Sequence, residues 1–445
     1  MKQFATWPAI IFMLPFQIEI LQAGGDDVSA QNQKIHDLEQ KIAELDQRLS
    51  RTDRQDKSNA KLSASTSGVT VRSGDGNFLL KIGGDLQVDS RFYPGDSAIA
   101  PTDTTVLRRA RLAFSGTLYK YVDFMFRPDF GLGNTVIYDA YIQFNYFPRL
   151  TLRAGKFKPP LGLERLLDDD NSNFIERGLP SALAPQRDIG YQLAGDLIQR
   201  RISYQAGVFD GVPDGSSGMD AAVSQHRDYV GRLFFTPFLP ETKSPLNGLG
   251  VGVAASHGST EGQALPVYKT FGQTSFFTFA PGVTAAGHRT RVAPQAYYYA
   301  GPFGLLAEYT LSEEGFQKGN NRRDVALRAY QVQATYVLTG EKKGLGATAP
   351  RKNFDPRNHG WGAVELAARI GDFSVERGIY DYGFAASGIT PRRAREWAGG
   401  VNWYLNRAVK IACDYGHTNF GGGAAAGGNR PAERVILTRL QIYLN

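Results

Sequence analysis

Residues 107–118 read Leu-Arg-Arg-Ala-Arg-Leu-Ala-Phe-Ser-Gly-Thr-Leu, and from Arg109 onward they alternate strictly. Arg109, Arg111, Ala113, Ser115 and Thr117 share one face, and Ala110, Leu112, Phe114, Gly116 and Leu118 share the other. Successive side chains of a β-strand point to opposite sides, so this is a strand with a greasy face and a polar, positively charged face. In a soluble sandwich the apolar side meets a core and the arginines meet bulk water. In a transmembrane barrel the apolar side meets lipid and the arginines line an aqueous lumen.

The same pattern recurs along the chain. Ile202, Tyr204, Ala206 and Val208 oppose Ser203 and Gln205, and Val364, Leu366, Ala368 and Ile370 oppose Glu365 and Arg369. Tyr330, Val332, Ala334 and Tyr336 oppose Gln331, Gln333 and Thr335. Residues 136–146 set Val136, Tyr138, Ala140, Ile142, Phe144 and Tyr146 against Asp139, Tyr141, Gln143 and Asn145. About sixteen such segments follow residue 77, of lengths that suit barrel spans with aromatic ends. Short links at Tyr119-Lys120, Phe147-Pro148, Gln199-Arg200, Gly301-Pro302 and Asn406-Arg407 separate them from long polar insertions at 210–225, 256–288, 340–360 and 421–431. Sorting short turns to one end and long loops to the other predicts an all-β transmembrane antiparallel barrel. The last segment, 434–444, fits a strand that closes onto the first, although the chain ends Leu444-Asn445 rather than on an aromatic residue.

Composition agrees with that class. Of 445 residues 42% are hydrophobic, yet after the N-terminus no run is long and apolar enough for a spanning helix. Glycine is abundant at 50 residues, and 21 tyrosines and 27 phenylalanines far outnumber 4 tryptophans. The single cysteine, Cys413, excludes an internal disulfide framework and a cysteine-based metal site. The formal charge of +7 favours anionic partners and is too diffuse to argue for nucleic acid.

At the N-terminus, Lys2, an apolar stretch over 7–20 and small residues at Ala23 or Ala30 predict a signal peptide over 1–30. Ile35, Leu38, Ile42, Leu45 and Leu49 form an a/d seam, which predicts a short periplasmic coiled coil over 31–57 that ties protomers together, or a plain amphipathic helix. Residues 58–76 read as a linker and 77–445 as the barrel. One connection stands apart: 158–187 is long, mixes Leu and Pro with charge, and is expected to fold into the lumen and narrow it.

Several stretches resemble one family, the phosphate- and polyphosphate-selective O and P porins of bacterial outer membranes. They are Asn77-Phe78-Leu79-Leu80-Lys81-Ile82-Gly83-Gly84 leading to Asp89-Ser90-Arg91-Phe92, Leu107-Arg108-Arg109-Ala110, and Tyr138-Asp139-Ala140-Tyr141. The segment Gly155-Lys156-Phe157-Lys158-Pro159-Pro160-Leu161-Gly162-Leu163-Glu164 and then Glu176-Arg177-Gly178-Leu179-Pro180 agree as well. So do Gly301-Pro302-Phe303-Gly304 and Gly400-Val401-Asn402-Trp403-Tyr404-Leu405-Asn406. The resemblance implies a sixteen-stranded barrel in outer-membrane lipid, a homotrimer, a third loop forming an eyelet, and passage of small anions such as phosphate or polyphosphate.

By motif, the family's constriction arginines fall on Arg91, Arg108 and Arg109, and its lumenal aspartate looks like Asp139. Arg111 stands where relatives place a residue thought to tune the preferred anion, which leaves larger or more charged anions open. Lys156, Lys158, Arg177 and Arg187 complete the candidate constriction. Arg127, Arg153, Arg232 and Arg291 are candidates for a lumen ladder, with Arg201, Arg289 and Arg369 as further basic lumen residues.

Arginine suits this task because its planar fork donates two parallel hydrogen bonds to phosphate and stays charged at any working pH. Passage also demands weak or multiple sites, since one tight site blocks a pore. Asp139 is placed to orient an arginine and soften the attraction. The alternative is that these are ordinary solvated lumen residues of a general diffusion porin, or of a porin for sugars or organic anions. Asp168, Asp169 and Asp170 with Asn171 and Asn173 look like a calcium-type oxygen cluster, but no EF-hand spacing follows, which favours a solvated loop or an arginine partner. No motif for a catalytic serine, zinc or a nucleotide phosphate is found, so neither enzyme, cofactor nor metal is expected. A structural or adhesive barrel on a trimerising stalk remains the other class.

Overall fold

The computed structural model describes residues 26–95, 101–220, 227–239 and 244–444, with the first helix's side chains placed for 32–48. Most of the expected signal segment, 1–25, lies outside the described residues. The chain divides into two units, 1–59 and 60–445. The first contains one helix, α1 (Asp26–Ser58), whose seam residues Ile35, Leu38, Ile42 and Leu45 are all exposed. An amphipathic helix this long, with its apolar stripe uncovered, has a face ready for a partner helix.

The second unit begins with a hairpin, β1 (Lys61–Ser65) and β2 (Gly68–Arg72), in which β2 pairs with the start of β3. Next come β3 (Phe78–Phe92), β4 (Thr104–Leu118), β5 (Val122–Asp129), β6 (Val136–Phe147), β7 (Leu150–Phe157) and β8 (Asp188–Leu197). After these come β9 (Ile202–Phe209), β10 (Asp228–Phe235) and β11 (Leu249–Ser259). Two short loop strands, β12 (Tyr268–Lys269) and β13 (Ser275–Phe277), pair only with each other. The wall resumes with β14 (Thr284–Ala300), β15 (Phe303–Lys318), β16 (Asn321–Val337) and β17 (Ala363–Val375). It ends with β18 (Pro391–Tyr404), β19 (Val409–Gly422) and β20 (Glu433–Leu444).

Strands β3–β11 and β14–β20 make a 16-strand antiparallel barrel in which each pairs with its sequence neighbours and β20 returns to β3. Closure removes the free edges that would otherwise recruit another chain, and it satisfies every spanning backbone group inside lipid. The closing seam is itself tied by side chains. Arg439 Nε and Nη2 each reach an oxygen of Asp89 at 2.7 Å, and Gln87 Nε2 donates to Gln441 Oε1 at 3.0 Å.

The alternation seen in the sequence is the wall. Outward residues such as Leu112, Leu193, Val253, Leu366 and Val401 are exposed, while inward residues such as Gln331, Gln333, Arg369 and Asn402 are buried. Among the bulges that break the alternation, two matter for the lumen. A shift opposite Gln87 and Val88 leaves Arg108 unpaired beside Arg109, so both arginines serve the interior. A second, opposite Arg127 and Pro128, turns both Tyr138 and Asp139 inward. The expectation that Tyr138 lies on the apolar face is therefore corrected: one extra residue shifts the parity of a strand locally.

Turn sorting also differs from expectation in places. Turns after β4, β6, β8, β14 and β18 are short and mark one end of the barrel. The long connection 338–362, between β16 and β17, lies at this short-turn end rather than with the long loops. It stays because it packs inward: Lys343 N donates to Gly301 O at 2.8 Å, Lys343 Nζ lies 3.0 Å from Glu365, and Ala347 N donates to Asn171 at 2.8 Å. The opposite end has a tight turn at Gly319 and Asn320 between β15 and β16.

Inside the loop end, the connection 158–187 and the β12–β13 loop fill much of the lumen. Leu179 and Leu183 of the former pack with Tyr268, Phe276 and Phe277 of the latter against Phe316, Leu327 and Phe373 of the wall. Burying this apolar cluster against the barrel fixes both loops in place.

Candidate throat of the barrel

The inward loop 158–187 turns into the lumen at Gly162, whose φ of 80° is open chiefly to glycine. It is held by carboxylates: Glu308 accepts from Leu163 N at 2.6 Å, and Glu164 accepts from Gly178 N and from Gln331 Nε2, each at 2.8 Å. At Gly178 the loop backbone passes so close to Gln331 that a Cβ there would collide with its side-chain amide. The throat is therefore positioned by short contacts to rigid strands.

Against that loop stand the arginines of β4. Asp169 accepts from Arg111 at 2.6 Å and lies within ion-pair distance of Arg109, at 3.1 Å, and of Arg177 in the loop, at 2.6 Å. Arg111 also reaches Asp129 at 2.6 Å and Asp85 at 3.7 Å. Arg108 and Arg91 share a second loop acid, Glu176, at 3.3 and 3.7 Å. Asp139 takes Arg187 at 2.9 Å and Arg127 at 3.4 Å. Tyr138 lies between two guanidinium groups, with Arg111 3.7 Å from its ring centroid on one side and Arg187 3.8 Å on the other. Lys158 pairs with Asp168 at 3.1 Å, and Lys156 with Asp220 at 2.7 Å.

The candidate constriction residues thus sit in neighbouring ion-pair groups around the loop, with Arg109, Arg111 and Arg177 meeting at one carboxylate. Of the loop acids, Glu164, Asp169 and Glu176 have arginine partners, while Asp168 pairs with Lys158 and alone keeps substantial exposure. No group of three or more His, Cys, Asp or Glu among the described residues is arranged to hold a metal ion.

The ladder candidates divide into two kinds. Arg127 is paired as above, and Arg291 is clamped by Asp214 and, at 3.0 Å, by Asp228. Arg153 and Arg232 have no acidic partner among the described residues. Arg153 donates to Gln143 at 2.9 and 2.6 Å and lies over the Tyr141 ring, 4.4 Å from its centroid. Arg232 donates to Gln295 at 3.1 Å and Gln205 at 3.4 Å and lies over Phe234. Amides and rings orient a guanidinium without cancelling its charge.

Sequence reasoning passed over one further cation. Arg165, on the loop's helical turn Leu163–Leu166, is buried and donates to Ser181 O, and its Nε has no partner. It lines a cavity of about 630 Å³ with Arg108, Arg109, Arg111, Arg177 and Arg439 and with the acids Asp129, Asp169, Glu176 and Asp214, but no carboxylate lies within ion-pairing reach of it among the described residues. Burial, with Arg177 beside it, pulls Arg165 down to about 9. Burial, with Arg187 next to it, likewise draws Lys158 down to about 8. Burial and the neighbouring Asp168 push Asp170 up to about 7. Burial opposes the charge on Glu176 too, but Arg108 and Arg439 outweigh it and hold this carboxyl down to about 2. The cavity therefore brings several guanidinium groups together with fewer acids, and one of them, Arg165, has no carboxylate at ion-pair distance among the described residues.

Comparison with known proteins agrees with this architecture. The family model for phosphate-selective porin O and P matches residues 80–444. Porin O of Pseudomonas aeruginosa is 27% identical over 387 residues, covering 78% of this chain and 84% of that protein. Among solved structures, the outer membrane channel DcaP of Acinetobacter baumannii matches with a TM-score of 0.55 at 10% identity, over 84% of this chain and 99% of that one. An anion-selective porin from Comamonas acidovorans matches with a TM-score of 0.52 at 10% identity, over 82% and 99%.

Proposed function

The chain belongs to the phosphate-selective porin O and P family, and we propose that it is a passive channel for small, phosphate-like anions through an arginine-lined throat. As a member it is an outer-membrane barrel channel and not an enzyme. The observation that carries the substrate reading is Arg165: a buried guanidinium at a polar cavity lined by five other arginines, with no carboxylate at ion-pair distance from it. An entering oxyanion supplies that missing charge. Arg109, Arg111 and Arg177 are already engaged by Asp169, so they lend attraction without forming an inescapable trap. Below, Arg153 and Arg232 extend the positive potential along the wall.

A homotrimer is the assembly we infer, supported by the uncovered seam Ile35, Leu38, Ile42 and Leu45 and by the trimer form of the structurally similar OmpT of Vibrio cholerae. A second reading, a general diffusion porin with weak preference, draws support from the acids 168–170 in the loop. Chloride current through channels in planar bilayers decides between them. Added phosphate in the millimolar range should block that current, and Arg165→Gln should weaken the block at least several-fold with the barrel intact. Phosphate-independent current in the wild-type channel would favour the second reading.

A further inference from the structure

The outside of the barrel carries a second basic feature, unrelated to the lumen. On β16 the outward aromatic Tyr330 is followed, two residues toward the loop end, by Arg328. On β18 outward Trp397 is followed by Arg395 and then Arg393. A row of outward aromatics marks the level of lipid headgroups even where, as here, it falls mid-strand, and a step of two residues moves about 7 Å beyond it. Tyr330 is 43% exposed and Trp397 48%, while the Arg395 side chain is 61% exposed and Arg393 38%. Arg393 and Arg395 both touch Asp372 of the strand between, at 2.7 and 3.2 Å, so two cations share one acid. Arg328 has no acidic partner among the described residues.

The sector β3–β5 differs. There the outward residues toward the loop ends of β3, β4 and β5 are Phe92, Leu107 and, just past β5, Phe130, all exposed and apolar. On β10 outward Tyr229 is also followed by Arg227, which pairs with Asp210 at 3.2 Å, so what distinguishes β16–β18 is three arginines gathered on neighbouring strands.

We propose that the outward face of β16–β18 binds a phosphorylated glycolipid headgroup of the outer leaflet. Register places Arg328 and Arg393 either side of Ser374, two strand spacings or about 10 Å apart. A headgroup carrying two separated phosphate monoesters spans that distance, whereas a single phosphodiester does not. Arginine forks match the several free oxygens of a monoester. Position at the headgroup level, where charge is neither in hydrocarbon nor free in water, makes a lipid the occupant that fits the aromatic and basic pairs together.

The test uses the full-length channel purified in detergent and mixed with defined lipids. A bisphosphorylated glycolipid should remain bound after exchange into glycolipid-free detergent, and the same lipid after phosphatase treatment, or phosphatidylglycerol, should not. In the triple variant Arg328→Gln, Arg393→Gln, Arg395→Gln, retention should fall at least tenfold, and the corresponding lysine triple should restore much of it. Conductance of both variants reports an intact barrel. Equal retention by the glutamine variant, or by wild type for the dephosphorylated lipid, would overturn the proposal. A change in oligomeric state in its place would overturn it too, by assigning the face to protein.

Discussion

Two sets of lumenal arginines sit in the same barrel and serve different ends. Arg291 and the neighbouring Arg289 lie among Asp214, Asp228 and Glu314, buried to the point of being wall material. Arg153 and Arg232, facing the same lumen, are held by glutamines and aromatic rings alone. The first set fastens an inward segment to the strands. The second set leaves its charge available to whatever passes. Counting arginines therefore overstates the field, and knowing which of them meet a carboxylate corrects it.

The largest expected effect comes from the clamped set. Arg291→Met leaves Asp214 and Asp228 without their main partner, and breaking such a buried pair costs about 3–5 kcal/mol. The temperature at which the folded barrel loses its anomalous gel mobility should drop markedly, with ion preference little changed. A variant that shifts selectivity but not stability would erase the distinction.

Next in size is the free set. Removing two lumen charges in Arg153→Gln with Arg232→Gln should lower the anion-to-cation permeability ratio by roughly tenfold, equivalent to about 1.4 kcal/mol. Barrel stability should stay near wild type. Raising the salt from about 0.1 M to about 1 M shortens the screening length from ~10 Å to ~3 Å and should shrink this difference.

A smaller effect follows from pH. Burial pushes the Asp170 carboxyl up to about 7 and draws the Lys158 amine down to about 8, both in the inward loop. Raising pH from 6 to 9 adds a negative charge at the first and removes a positive one at the second. Both changes disfavour anions, so the permeability ratio should fall, by about two- to threefold, as pH rises. Asp170→Asn should flatten the lower limb of that curve, which single-channel reversal potentials across the range will report.

Much of this was legible in the sequence because a period of two is hard to disguise. The faces of 109–118, of 330–336 and of 364–370 are as their alternation implied. Tyr138 was not, since a bulge is set by the partner strand's register and leaves no mark on its own residues. The inward segment 338–362 was assigned to the wrong end because length alone does not say whether a connection spreads into solvent or packs inside. Lumen contents were the least visible. That Leu179 meets Phe277, or that Asp169 gathers three arginines, depends on contacts between loops far apart in the chain. Arg165 was passed over for the same reason: its importance lies in the carboxylate it lacks.

The direct test of the central claim is the reversal potential of the wild-type channel across a tenfold potassium chloride gradient. An arginine-dominated lumen predicts a potential close to the chloride limit, moving toward zero in the Arg153→Gln, Arg232→Gln variant. A potential near zero or on the potassium side in the wild-type channel would contradict it.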